Sequence, residues 1–112
     1  MNNENVNTLI SHLRSGNVIG FNMRHHHSCI MGEATRAFET DDVKVSQGLA
    51  TFLEVEDERF SDFQALLGMQ HYRQITEYAA GNMYNATPEQ AADALQSWAG
   101  GATAAEAWES VA

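Results

Sequence analysis

The chain has 112 residues and a mass of 12.4 kDa, which is the size of one domain. Hydrophobic residues make up 44% of it, which is typical of a globular protein and excludes a disordered composition. Its single cysteine excludes an intramolecular disulfide. We therefore expect a single domain over residues 1–112 with one hydrophobic core.

The formal charge of −9 is unevenly distributed along the chain. Residues 1–38 hold three arginines and two carboxylates, whereas residues 39–112 hold three basic residues and thirteen carboxylates. Because an acidic surface repels phosphate backbones, we expect no general nucleic-acid binding. Polar residues interrupt positions 1–20, and no stretch approaches the roughly 20 apolar residues of a membrane span. We expect no secretory signal, no membrane association and a cytoplasmic location.

The first predicted element is an amphipathic helix. Apolar residues at helical spacing run from Val6 to Leu13. Asn5 or Asn7 can cap its start, and Gly16 ends it.

The next segment is predicted to be extended. Residues 18–24 are rich in strand formers, and the segment that can pair with them is residues 42–45. A strand needs partners for its backbone groups. The sequence therefore leaves open a minimal two-stranded β element.

A second helix is predicted from Cys29 to about Phe38, with Ser28 as its N-cap. Gly32 lies in the first turn of this helix, where glycine is unfavourable. It indicates that another backbone or a bound group approaches closely, unless the glycine is neutral.

Capping residues and glycines divide the rest of the chain into further short helices. The predicted starts are Ser46, Ser61 with Gln64 as a capping box, Gln70, Thr87 with Pro88 and Gln90, and Thr103 with Glu106. The predicted ends include Gly68, Gly81 and Gly100. Together the elements predict a mainly α domain of six or seven short helices.

The aromatic residues occupy positions typical of a core. They are Phe38, Phe52, Phe60, Phe63, Tyr72, Trp98 and Trp108. Trp108 lies nearest the end of the chain, and we expect it to be partly exposed and to mark an association surface.

Residues 24–33 hold the cysteine and three of the five histidines, so chemistry is expected here. A thiol at a helix N-terminus beside an imidazole is a usable nucleophile. Cys29 is then the candidate nucleophile, with His25, His26 or His27 as its base and Asp41 or Asp42 as a group that orients the base. The alternative is that Cys29 is a small buried hydrophobe, the usual state of a free cysteine.

The same residues are candidate metal ligands. In an extended chain His25, His27 and Cys29 lie on one side, which suits zinc. Glu33 or His71 would be the fourth ligand. The spacing matches neither zinc fingers nor the HExxH helix, and no other cofactor motif is present.

Two segments carry a resemblance to known proteins. Cys29-Ile30-Met31-Gly32 follows a short N-terminal helix that ends Leu13-Arg14-Ser15-Gly16, and this arrangement resembles small phage-type and bacterial proteins with a Cys-x-x-Gly segment. The downstream segments 66–69 and 87–92 are similar to later helices of such proteins. The resemblance implies no activity and no site residues.

Two functional hypotheses follow from these observations. The first is a non-enzymatic accessory or interaction protein whose acidic helical surface binds a basic protein partner. The second is a catalytic or zinc-binding site around His25, His27 and Cys29. A third idea combines the uneven charge with the histidine–cysteine cluster in a pH-responsive homodimer contact.

Overall fold

The computed structural model describes residues 1–69 and 75–111, and over this range the chain forms seven α-helices and one 3₁₀ turn, without a β-strand. The helices are α1 (Asn3–Leu13), α2 (Ile30–Phe38), α3 (Ser46–Phe52), α4 (Phe60–Leu66), α5 (Glu77–Tyr84), α6 (Pro88–Ala99) and α7 (Ala104–Glu109). The 3₁₀ turn covers Asp57–Arg59 and leads directly into α4. The prediction of a mainly α protein with six or seven short helices is confirmed over this range. None of the helices described has the length and apolar character that crossing a membrane requires.

The helices pack around one hydrophobic core. α1 packs against α2 and α6, whereas α7 packs against α4, α5 and α6. α3 contacts both α2 and α4. The largest fully buried side chains are Trp98, Trp108 and Phe63. Since α6 contacts both α1 and α7, it connects the N-terminal and C-terminal helices through this core.

Both tryptophans are held by hydrogen bonds inside the protein. Asp62 on α4 accepts hydrogen bonds from Trp98 Nε1 at 2.7 Å and from the backbone N–H of Ala104 at 2.9 Å. Trp108 Nε1 donates to the carbonyl oxygen of Leu66 at 2.9 Å. Trp108 has no exposed surface, so the prediction that it marks an association surface is wrong. It is buried because α7 packs back onto α4, which supplies the partner that an indole N–H needs.

The two strongest capping signals form as predicted. Thr87 Oγ1 accepts from the N–H of Gln90, whose side chain accepts from the N–H of Thr87. Thr103 and Glu106 make the same pair of bonds at the start of α7. Each box satisfies two donors that would lack partners in a free helix end.

Several other predicted boundaries are wrong. α1 is capped by Asn2, which accepts from the N–H of Asn5, and α2 begins after Cys29 rather than Ser28. α4 begins at Phe60 with no side-chain cap, so Ser61 is not the N-cap of a capping box there.

The fifth helix differs most from the prediction. α5 begins after Thr76, whose hydroxyl accepts from the N–H of Ala79, and it contains Gly81, where the sequence predicted an end. The predicted start at Gln70 and the core position Tyr72 lie outside the described residues. A glycine ends a helix through a left-handed backbone, and Gly81 does not adopt one.

The two-stranded pairing of residues 18–24 with residues 42–45 does not form. Gly20 has a φ of +71°, which interrupts the extended run. Val43 is fully buried but lies in a turn, where the N–H of Lys44 donates to the carbonyl of Asp41 at 3.2 Å. Met23 and Val43 are buried and anchor these two loops to the core, whereas Ile19 and Val45 are exposed.

The loop between α2 and α3 lies directly on α3. A Cβ at Gly48 would be 2.0 Å from the carbonyl oxygen of Asp42, so a larger residue would force the backbones apart. This contact fixes the position of the loop that carries Lys44.

Candidate functional site

The three consecutive histidines belong to a closed loop rather than to an extended strand. The N–H of Asn22 donates to the carbonyl of Ser28 at 2.9 Å, and the N–H of Ser28 donates to the carbonyl of His25 at 3.0 Å. The N–H of His25 in turn donates to the carbonyl of Asn22 at 3.1 Å. We call residues 22–28 the histidine loop. Because its backbone turns repeatedly, the alternation of side chains expected of a strand does not apply.

The loop separates the thiol from the imidazoles. Cys29 is 3% exposed, and its Sγ lies 3.6 Å from the carbonyl oxygen of His26, a weak S–H hydrogen bond. The side chains of His25, His26 and His27 are all exposed. The thiol therefore packs with the core while the imidazoles face solvent.

The candidate zinc ligands are not gathered around one point in the part of the chain that the structure describes. Over residues 1–69 and 75–111, no group of three or more His, Cys, Asp or Glu side chains is arranged to hold a metal ion. His71, the candidate fourth ligand, lies outside the described residues.

Glu33, the other candidate fourth ligand, is committed to different partners. Its side chain is 3% exposed, and its Oε1 lies 2.8 Å from Nε2 of His12 on α1. Its other oxygen accepts a hydrogen bond from Arg36, one turn further along α2. A buried carboxylate needs such partners, and this one links α1 to α2. The i, i+3 spacing of Glu33 and Arg36 is a sequence signal for their ion pair, whereas no spacing indicates the contact of Glu33 with His12.

A cavity of about 220 Å³ lies beside the histidine loop. Its lining consists of His26, His27, Met31, Gly32, Thr35, Arg36 and Lys44. A Cβ at Gly32 would lie 2.2 Å from the carbonyl oxygen of His27, so only glycine lets the loop rest on α2. The expectation of a close approach at Gly32 is confirmed, and the approaching group is backbone. We call this cavity the cationic pocket.

The cationic pocket receives two cations and two imidazoles from three segments. Arg36 comes from α2 and Lys44 from the loop before α3, and their side chains are 55% and 63% exposed. Lys44 Nζ lies 3.4 Å from the exposed carboxylate of Asp41. The rings of His26 and His27 contact each other with centroids 3.9 Å apart. Sequence reasoning missed this group, because no spacing along the chain indicates that the three segments meet.

A second cavity, of about 470 Å³, lies between α3 and the 3₁₀ turn. It is lined by Gln47, Ala50, Thr51, Glu54, Val55, Asp57 and Phe60. We call it the acidic groove, because two lining residues are carboxylates and Glu56 and Glu58 are exposed next to them in sequence. Glu56 also holds the N-terminal amine at 3.2 Å. Hydrogen bonding to its own backbone N–H, and then to this amine, lowers the pKa of Glu56 below its usual value.

The basic residue that follows this acidic run, Arg59, points into the protein. Arg59 donates to the carbonyl oxygens of Trp98 at 3.0 Å and Ala102 at 2.8 Å. Its guanidinium carbon lies 3.8 Å from the centroid of the Trp98 ring, a cation–π contact. The charge of Arg59 is therefore directed to the junction of α4, α6 and α7, and not to the groove.

Comparison with known proteins found no relative of this chain. No protein-family model, no curated protein and no solved structure matches this chain. The resemblance to small phage-type and bacterial proteins thus stays a prediction, and the case for a function depends on the geometry alone.

Proposed function

We propose that the protein is a non-enzymatic interaction protein that binds a basic segment of a partner protein in the acidic groove. The observation that carries this proposal is the run of four exposed carboxylates at residues 54–58, two of which line a cavity. A partner with lysine and arginine side chains is complementary to this charge, which favours both encounter and orientation.

The groove also offers apolar contacts. Ala50 is 4% exposed, and Val55 and Phe60 are partly buried against the core. Binding energy at protein interfaces comes mainly from an apolar or aromatic residue seated in a pocket, while rim charges set orientation. The partner segment is therefore expected to carry an apolar side chain between basic ones.

A catalytic or zinc-binding site around His25, His27 and Cys29 has less support. The thiol is inside the protein and the imidazoles are outside it. A nucleophile and its base must come within hydrogen-bond reach of each other and of a substrate.

The test uses lysine- and arginine-rich peptides, with and without a central leucine or phenylalanine. Binding is followed by fluorescence anisotropy and by amide chemical shifts of the labelled protein. The groove variant is Glu54→Gln/Asp57→Asn/Glu58→Gln, which leaves Glu56 on the N-terminal amine. We expect binding about tenfold weaker in this variant, since three rim charges at roughly 0.5 kcal/mol each amount to about one decade.

The matched control is Glu39→Gln/Glu77→Gln/Glu89→Gln, which removes the same charge from exposed sites elsewhere. The control should bind nearly as tightly as the original protein. Peptides with the apolar residue should bind more tightly than those without it. Equal weakening in both variants would reduce the effect to general charge attraction and contradict a groove site. Affinity that is indifferent to salt would contradict it as well.

A further inference from the structure

We propose that the cationic pocket binds the phosphate group of a small molecule. This site is separate from the acidic groove and does not depend on the function proposed for it. The proposal is based on a cavity, on two cations that line it from different segments, and on two imidazoles at its edge.

The distribution of basic residues sets this pocket apart. The chain has only six lysines and arginines, and two of them line this one cavity. Arg59 is bound inside the protein, and Arg14 donates to Asp93 and Gln96 on α6. In a protein of charge −9, two cations at one cavity mark a place, among the described residues, that suits an anion.

The carboxylates near the pocket leave donors available. Glu33 divides its two oxygens between Arg36 and His12, so it occupies only one edge of the guanidinium. A guanidinium has five N–H donors, and the rest can serve an oxyanion. Asp41 is 73% exposed and 3.4 Å from Lys44, and a pair in water at that distance holds the ammonium weakly.

The remaining donors come from the histidine loop and α2. A neutral imidazole still has one N–H, so His26 and His27 each offer a donor at the pocket edge. The first backbone N–H groups of α2 have no intrahelical partner, and no side chain caps this helix. Met31 and Gly32 of that first turn line the pocket, so the positive end of the α2 dipole adds to the cations.

The size of the pocket limits the ligand. Its volume of about 220 Å³ is below the roughly 300–1,000 Å³ that drug-sized ligands occupy. A tetrahedral oxyanion with a small organic group fits this volume. Met31 and Thr35 would contact the organic part, while Arg36, Lys44 and the imidazoles would donate to the phosphate oxygens.

Isothermal titration calorimetry with two probes, inorganic phosphate and glycerol 3-phosphate, tests the proposal at moderate chloride concentration. We expect a dissociation constant below about 1 mM for at least one probe. The amide signals of Met31 and Gly32 should shift on titration. Tighter binding of glycerol 3-phosphate would assign the site to phosphate monoesters, and equal binding would assign it to the phosphate group alone.

Lys44→Gln is the main variant, because Lys44 is exposed and its loss leaves the ion pair of Arg36 with the buried Glu33 intact. It should weaken binding about tenfold, and adding His27→Gln should weaken it further. The matched control Arg14→Gln removes one exposed cation from outside the pocket and should bind within about twofold of the original protein. Absence of binding by either probe, or equal affinities for Lys44→Gln and Arg14→Gln, would overturn the proposal.

Discussion

The C-terminal helices and the histidine loop use polar side chains in opposite ways. Between α4, α6 and α7, the polar groups of Arg59, Asp62 and Trp98 find their partners within the protein. Around the histidine loop, His26, His27 and Lys44 face a cavity and solvent instead. Internally satisfied polar groups fix one arrangement of helices, whereas outward-facing ones are available to a ligand. The comparison separates residues that build the fold from residues that are candidates for binding.

The largest effect is expected from Trp98→Ala. This change removes a fully buried indole, one of the two hydrogen bonds that Asp62 accepts and the cation–π contact of Arg59, so the free energy of unfolding should fall by about 3–5 kcal/mol. Urea denaturation followed by circular dichroism measures it. Tyr78→Ala is the control, because this aromatic ring is 58% exposed and its loss should change stability by less than about 0.5 kcal/mol. Similar losses for both variants would mean that the C-terminal network does not stabilise the fold.

Cys29 should react slowly in the folded protein. Its burial predicts an alkylation rate with iodoacetamide at least about a hundredfold below that of the urea-unfolded chain, since reaction requires local opening. Because the chain has a single cysteine, the alkylation signal comes from Cys29 alone. A native rate close to the unfolded rate would contradict the burial and favour the nucleophile hypothesis. Suppression of that rate by zinc would favour the metal site.

The glycine that supports the histidine loop provides a third contrast. Gly32→Ala places a Cβ against the carbonyl of His27, so the loop must move and stability should fall by about 2 kcal/mol. Gly81→Ala, within α5, meets nothing within 4 Å and should instead raise stability by about 0.5–1 kcal/mol. Thermal unfolding of the two variants measures whether stability falls in the first and rises in the second. A neutral Gly32→Ala would show that the loop does not rest on α2.

Helix caps distinguish the two regions on a smaller scale. Thr87→Ala breaks a capping box and should lower stability by about 1 kcal/mol. Ser28→Ala should cost less than about 0.5 kcal/mol, because Ser28 is not the N-cap of α2. Urea midpoints compare the two substitutions directly. An equal loss of stability in the two variants would mean that Ser28 does cap α2.

The smallest expected effect is on the titration of Glu106. The backbone N–H of Thr103, and then its hydroxyl, lower the pKa of this carboxyl below 4.5. Because the folded pKa is below the unfolded one, the contribution to stability is complete above about pH 4.5 and is lost as the pH falls through the folded pKa. Thr103→Ala removes the hydroxyl and keeps the backbone N–H, so it should move the pKa only part of the way up towards its ordinary value in an NMR titration. Thr87→Ala, at the other capping box, should leave it unchanged, and a shift there would contradict the local cause.

The parts of the structure that the sequence predicts are those with local causes. Thr87 and Thr103 begin helices because their partners lie three residues away, and Gly68 follows α4 with a φ of +75°. The burial of Trp108 has no local cause, since it depends on α7 meeting Leu66 of α4. Proximity to the chain end therefore suggested the wrong exposure.

The sequence indicated which stretch of the chain borders the candidate site, but not which side chains line it. The sequence directed attention to residues 24–33, and the cationic pocket does border that stretch. Hydrogen bonds that close the histidine loop decide which side chains face outward, and a loop of consecutive turns has no apolar period that would reveal this from the sequence. Lys44 joins the pocket through the contact of Gly48 with Asp42, which no pattern in the sequence indicates.

The most direct test of the account is one pair of amide-resolved NMR titrations on the same labelled protein, first with a basic peptide that carries an apolar anchor and then with glycerol 3-phosphate. The account predicts that the peptide shifts signals of residues 47–60 and that the phosphate shifts signals around Met31, Gly32 and Lys44. The two sets should not overlap, because the groove and the pocket have opposite charge. Peptide shifts spread over all exposed carboxylates, or a phosphate titration that leaves Gly32 unmoved, would contradict it.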